Sequence, residues 1–282
     1  MFKLKIETSL GAVLYFSESN AYTLIDVTGL DPPAAALNFS RFSSGNGSHR
    51  VSGYVEKRNI ILTAVINNPL EKNRTALNSY FVLDGKVKIY YISDTMNVFT
   101  EGYVESCFYN SFELGQKAVI SILCENPYWR DTGETGILFS ALESRFEFPF
   151  SIPDGGVAIS EITSGGAVQI DPGTAETGFI IRIEIIGGTV TGLRVINKTT
   201  NSYFGLVNTF ADGDVINICT IKGSKQVILT RNGENRNILN LLERNSSWIQ
   251  LMPGVNIIDY DSGTGKNYAR VQLFYQKLHQ GV

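Results

Sequence analysis

Histidine is almost missing from this 282-residue chain: His49 and His279 are the only two. One stands in a Gly/Ser-rich stretch and the other near the last residue, so a histidine-based triad or metal cluster lacks its parts. Cysteine is nearly as scarce. Cys107, Cys124 and Cys219 are odd in number, far apart and form no C-x-x-C pair, which excludes a zinc ribbon or a redox dithiol motif. They read as buried, reduced thiols. No apolar run approaches the length of a membrane span. No basic block exists, and a net charge of −3 offers no electrostatic footprint for nucleic acid. Internal repeats and low-complexity tracts are absent too. The opening Met1-Phe2-Lys3-Leu4-Lys5-Ile6-Glu7 reads as a strand, too short and too charged for a signal peptide. The expectation is synthesis in a cytoplasm, so the N-x-Ser/Thr sequons at Asn38, Asn46, Asn73, Asn197 and Asn245 carry no weight.

What remains is glycine, aromatics and β-branched residues in short runs, the composition of a mainly β protein. A chain of this length buries enough surface to fold without a disulfide or a metal. Its clearest punctuation is Val119-Ile120-Ser121-Ile122-Leu123-Cys124-Glu125-Asn126-Pro127-Tyr128-Trp129, followed by polar Arg130–Gly136. Pro127 cannot donate to a ladder and ends the strand. Strand-rich sequence lies on both sides, so the break marks a seam between two domains, residues 1–132 and 133–282.

In the first half, strands are expected at Phe2–Ile6 and Ala21–Val27. Gly29–His49, with Pro32-Pro33 and Gly45-Asn46-Gly47-Ser48, reads as a long irregular loop that serves interaction or remains mobile. Arg50–Asn67 is strand-like for longer than an ordinary strand. It folds into a hairpin at Glu56–Asn59, bends through a bulge, or projects as an arm. A helix follows Asn68-Pro69, with Leu70, Leu77 and Phe81 on one face, and ends near Asp84-Gly85. Strands then run over Lys86–Ile92, Val98–Phe108 and Lys117–Cys124. In the second half, strands are expected at Phe146–Ile152, Phe179–Ile186, Leu193–Asn197, Tyr203–Asn208, Val215–Ile221, Gln226–Thr230, Asn256–Tyr260 and Tyr268–Tyr275, with a short helix at Asn237–Arg244. Turn formers Gly187-Gly188, Asp212-Gly213 and Asn232-Gly233 separate them. Spacing of this kind describes an antiparallel sandwich.

Catalytic equipment is sparse. Asp259–Gly265 fails as a calcium loop, because glycine and threonine occupy ligand and turn positions, and Gly265-Lys266 fails as a phosphate loop. The pairs Glu143/Glu147 and Asp212/Asp214 have the residue types of a glycosidase but read as solvated turn residues. Trp129 and Trp248 are the candidates for stacking on a sugar ring, with burial as aromatic anchors the plainer alternative. No catalytic, metal or cofactor residue is assigned.

Several segments, in order along nearly the whole chain, resemble the distal tail protein family of long-tailed (siphovirus-type) bacteriophages. They are Gly29-Leu30-Asp31-Pro32-Pro33, the strand through Arg58-Asn59-Ile60-Ile61-Leu62, and Asn68-Pro69 with its helix. Cys124-Glu125-Asn126-Pro127-Tyr128-Trp129, Trp248–Asn256 and the closing Val271–Tyr275 strand complete the set. The resemblance implies a structural virion protein rather than an enzyme, assembled in the host cytoplasm. Its expected parts are an N-terminal ring-forming β-rich domain with one helix and a C-terminal galectin-like or carbohydrate-binding-module-like β-sandwich. It further implies a homohexameric ring between the tail tube protein and the tail-tip, baseplate or receptor-binding proteins, with no cofactor, nucleic acid or membrane partner. On that reading Pro32, Pro33, Arg58 and Asn59 are the expected inter-subunit contacts. The alternative is a glycan-binding sandwich with Trp248 as its platform.

Overall fold

A computed structural model describes residues 2–110, 115–144, 160–164 and 167–282. The chain divides into two compact units, Met1–Thr132 together with Leu278–Val282, and Gly133–Lys277.

The first unit begins with β1 (Lys3–Thr8), β2 (Val13–Tyr15) and β3 (Tyr22–Thr28), then β4 (Ala35–Arg41), β5 (Ser48–Val55) and β6 (Arg58–Ile66). The helix α1 (Leu70–Tyr80) precedes β7 (Lys86–Ile92), β8 (Asn97–Tyr109), β9 (Lys117–Cys124) and β10 (Trp129–Asp131). The main antiparallel sheet has the order β2-β1-β7-β8-β9-β6-β3. Alternation explains its one-sided core. On β6, Ile60, Leu62, Ala64 and Ile66 are buried while Asn59 is exposed, and Val87 and Ile89 of β7 and Ile120 and Ile122 of β9 join the same cluster. Leu77 and Phe81 fix α1 to that core. The helix stops at Tyr80, before the expected Asp84-Gly85. Phe81 N–H closes on Leu77, and Gly85 N–H then bonds Val82 in a separate turn.

One expectation for this unit is corrected, and one of three alternatives is removed. Gly29–His49 is not an irregular loop, since it contains β4 and the start of β5. Arg50–Asn67 makes no hairpin at Glu56–Asn59, because β5 pairs with β4 whereas β6 pairs with β3 and β9. Backbone partners, which composition cannot show, decide both cases. Ala35-Ala36-Leu37-Asn38 carries little β signal alone and becomes a strand because Ser52–Val55 lies opposite.

The second unit holds β11 (Thr135–Leu138), β12 (Ser140–Ser144), β13 (Ser160–Ser164), β14 (Val168–Ile170), β15 (Ile180–Ile185) and β16 (Val190–Asn197). It continues with β17 (Ser202–Phe210), β18 (Val215–Cys219), β19 (Gln226–Arg231), β20 (Glu234–Asn237), β21 (Asn256–Asp261) and β22 (Ala269–Tyr275). A six-stranded sheet, β11-β22-β15-β18-β19-β20, and a four-stranded sheet, β14-β21-β16-β17, share one core. Ile181, Ile216 and Leu273 come from the first and Val195, Phe204 and Tyr260 from the second, which makes an antiparallel sandwich. At the β19–β20 turn, Asn232 (φ 54°) and Gly233 (φ 81°) both take left-handed backbone, the requirement of a two-residue type I′ hairpin. The expected helix at Asn237–Arg244 shrinks to a 3₁₀ turn at Leu239–Leu241. The strand expected at Phe146–Ile152 lies outside the described residues.

The last strand, β23 (Leu278–His279), returns to the first unit, where Trp129 pairs with His279 and Arg130 with Leu278. Residues 278–282, expected in the second domain, therefore group with the first.

Candidate assembly surfaces

Arg58 was the charged residue expected to reach a neighbour, and the structure corrects this: it is 1 % exposed. It opens β6 on the inward register shared by Ile60 and Leu62, so its guanidinium is carried into the domain. Five backbone carbonyls receive it. Nε donates to Pro127 at 2.8 Å, Nη1 to Leu30 at 3.1 Å, to Asp31 at 2.8 Å and to Gly29, and Nη2 to Gln280 at 2.5 Å. The guanidinium lies 5.4 Å from the centre of the Trp129 ring, whose indole N–H donates to Leu30 at 3.3 Å. Burial pushes the Arg58 guanidinium below its ordinary value, with Cys124 and Asp31 opposing. Burial likewise pushes the Cys124 thiol up to about 11, so it is an inert core group rather than a nucleophile.

This cage ties three distant stretches together: Gly29–Asp31, Pro127 and Gln280. Val282 N–H adds a bond to Leu30, and His279 Nε2 lies 2.8 Å from Asp131 Oδ1. Gly29 has φ 83°, and a Cβ there would run into the Asn59 carbonyl, so glycine is required for close approach. The Gly29–Pro33 and Glu125–Trp129 motifs thus share one structural task, which no linear reading of them reveals.

The other expected contacts lie outside the cage. Asn59 is exposed, and its Oδ1 is 2.9 Å from Ser121 Oγ. Pro32 is exposed and Pro33 half-buried on the segment that leads into β4. From there the β4–β5 hairpin forms a two-stranded sheet of its own. Leu37, Phe39, Phe42, Val51 and Tyr54 on it are each at least half exposed, the lowest at 50 %. The ribbon thus presents uncovered apolar side chains and unpaired strand edges, the surface features that mark contact sites in general.

In the second unit, Trp248 is only half-exposed. Its ring packs 5.1 Å from Phe204, and the Lys225 ammonium sits 5.5 Å above it, the setting of an aromatic anchor rather than an open platform. Asp214, read as a solvated turn residue, is instead buried at 2 % exposure. Arg231 grips it bidentately at 2.7 and 2.5 Å, and Ala211 N–H donates to it at 2.8 Å. The Arg231 hydrogen bonds, chiefly, hold its carboxyl below the usual carboxylate range. Its neighbour Asp212 accepts from Gly187 N–H at 2.7 Å, so the two acids serve separate turns. Among the described residues, no group of three or more His, Cys, Asp or Glu side chains is placed to hold a metal ion.

Fold and surface together describe a β-rich chain of two units, with an exposed apolar ribbon on the first and no metal-ligating cluster among the described residues. Residues 172–278 match the family described as siphovirus-type tail component, C-terminal domain. The chain is similar in structure to the Dit protein (gp 19.1) of phage SPP1, described as a paradigm of the hub adsorption apparatus in phages that infect Gram-positive hosts. The TM-score is 0.67 at 13 % identity over 98 % of this chain and 99 % of that one. It is also similar to a chain of the phage P2 baseplate in its activated, calcium-containing conformation, with TM-score 0.50 and 12 % identity over 100 % of both chains. No curated protein matches by sequence. The second unit thus contains the siphovirus-type tail component C-terminal domain, and the whole chain has the fold of a distal tail hub protein. The matched family is one of phage tail components, and a tail component is part of the virion.

Proposed function

We propose that six copies of this chain close into a ring that joins the phage tail tube to the tail-tip, baseplate and receptor-binding proteins. The ring assembles in the host cytoplasm as part of the tail. A ring needs heterologous contacts in which one surface of each copy meets a different surface of the next. The observation that carries the reading is the β4–β5 ribbon, an exposed apolar hairpin on a unit that already has a complete core. Hub and baseplate descriptions of the similar structures support the same assignment. Native mass measurement and negative-stain imaging of the purified protein, with detection of the chain in tail particles, test it. Six-membered rings with a central channel, and the chain present in tails, are expected. Absence of the chain from tail particles would remove the reading.

A further inference from the structure

The main sheet of the first unit leaves one face uncovered. Strand register aligns a row across it: Asp26 of β3 opposite Thr63 of β6, Thr63 opposite Val119 of β9, and Val119 opposite Phe108 of β8. Phe108 is 68 % exposed and Val119 37 %, although both sit in central strands of a seven-strand path. Partly exposed Ile61 stands in the next row, opposite Ser121. Acids flank this apolar strip. Asp26 is exposed at one end. Glu105, at the β8 bulge, is exposed and accepts from Ser121 Oγ at 2.7 Å. Among the described residues, neither acid has a cation within ion-pair distance.

The ribbon carries the opposite pattern. From Pro32 to Val55 the sequence contains no acidic residue, but it contains Arg41 and Arg50. Register places Leu37 opposite Gly53 and Phe39 opposite Arg50, so Leu37, Phe39, Arg41 and Arg50 share one face. A Cβ on Gly53 would meet both the Arg50 guanidinium and Leu37, which places the arginine along the apolar face. Neither arginine has a carboxylate partner among the described residues. The two bases lie diagonally across adjacent strands, about 7–8 Å apart at Cα. Their long side chains extend that span toward the separation of the two acids, which is on the order of 15 Å from strand spacing.

We propose that the Leu37/Phe39/Arg41/Arg50 face of the ribbon docks on the Phe108/Val119/Ile61 strip of a second copy, with its arginines against Asp26 and Glu105. This rests on the ring reading and names the contact that closes it. Apolar burial supplies the attraction, and the charges set register and exclude other seats.

Charge reversal tests it, because all four residues are surface groups. One variant reverses the ribbon (Arg41→Glu with Arg50→Glu) and another reverses the strip (Asp26→Arg with Glu105→Arg). Each alone is expected to lose at least tenfold in self-association, with an unchanged circular dichroism spectrum. Mixed one to one, the two variants regain association, because each ribbon then meets an opposite strip in alternation around the ring. The fourfold reversal in one chain regains it as well. Rings that survive both single reversals overturn the docking and leave the hub reading intact. Association that is lost but not restored by mixing or by the fourfold variant also overturns it. Wild-type protein that never self-associates removes a second copy as the occupant. The hub reading falls separately, if tails lack the chain.

Discussion

Replacing Arg58 by methionine keeps most of the aliphatic stem and removes the guanidinium. Exchanging a buried ion pair for apolar groups is often neutral, because both charges leave together. Here the partners are backbone carbonyls, which stay. Five acceptors lose their charged donor, while Leu30 keeps donors from Trp129 and Val282. Unpaired buried acceptors cost roughly 1–3 kcal/mol each, and water entry recovers part of that. A net loss of about 3–5 kcal/mol is expected, as for other broken buried polar clusters. For a unit of about 140 residues this corresponds to a fall of about 10–17 °C in its transition. Differential scanning calorimetry, with emission from Trp129 beside the guanidinium, measures it. A Trp248→Phe background leaves that single indole as the reporter. Arg58→Lys keeps the charge but not the fork, and is expected to recover less than half of the loss. Deleting residues 278–282, which removes the Gln280 acceptor and β23, is expected to lower the same transition while leaving that of the second unit in place. An Arg58→Met protein that melts within about 2 °C of wild type would refute the cage as a stabilising element.

The other expectations concern single positions. Asp214→Asn is expected to destabilise the second unit by about 1–3 kcal/mol at pH 7. Because the native carboxyl titrates below its unfolded value, its contribution is full above the unfolded pKa and fades as pH falls through the lower native one. Wild type and variant should therefore converge in acid urea melts, and a gap that persists at low pH would refute the pairing. Gly29→Ala combines a left-handed φ with a clash against the Asn59 carbonyl. It should cost more than 2 kcal/mol by urea denaturation, well above an ordinary exposed-turn substitution. Trp248→Ala should lower the second unit's melting point by removing packing on Phe204, while glycan-array signals stay unchanged. Loss of specific glycan binding in that folded variant would instead restore the sugar-platform reading.

Apolar alternation determined much of the fold directly from sequence. Lys86–Ile92 and Lys117–Cys124 are strands over the expected residues, and the strands expected from Phe179 onward, with their Gly-containing turns, match closely, because period-two burial and left-handed turn residues are local properties. The ordered motifs also carried the distal-tail resemblance. What only tertiary structure decided was partnership. β4 is a strand because β5 lies opposite, although its own residues read as loop. Arg58 looked like a surface cation because charge is normally solvated, and register on β6 turned it inward toward carbonyls from three separate stretches. Asp214 looked like a turn acid until Arg231, seventeen positions later, closed on it. The strip at Asp26, Phe108 and Val119 had no linear signal at all, since its residues come from three strands and become neighbours only through sheet register. Local chemistry sets which segments extend or turn; long-range pairing sets which face each side chain presents.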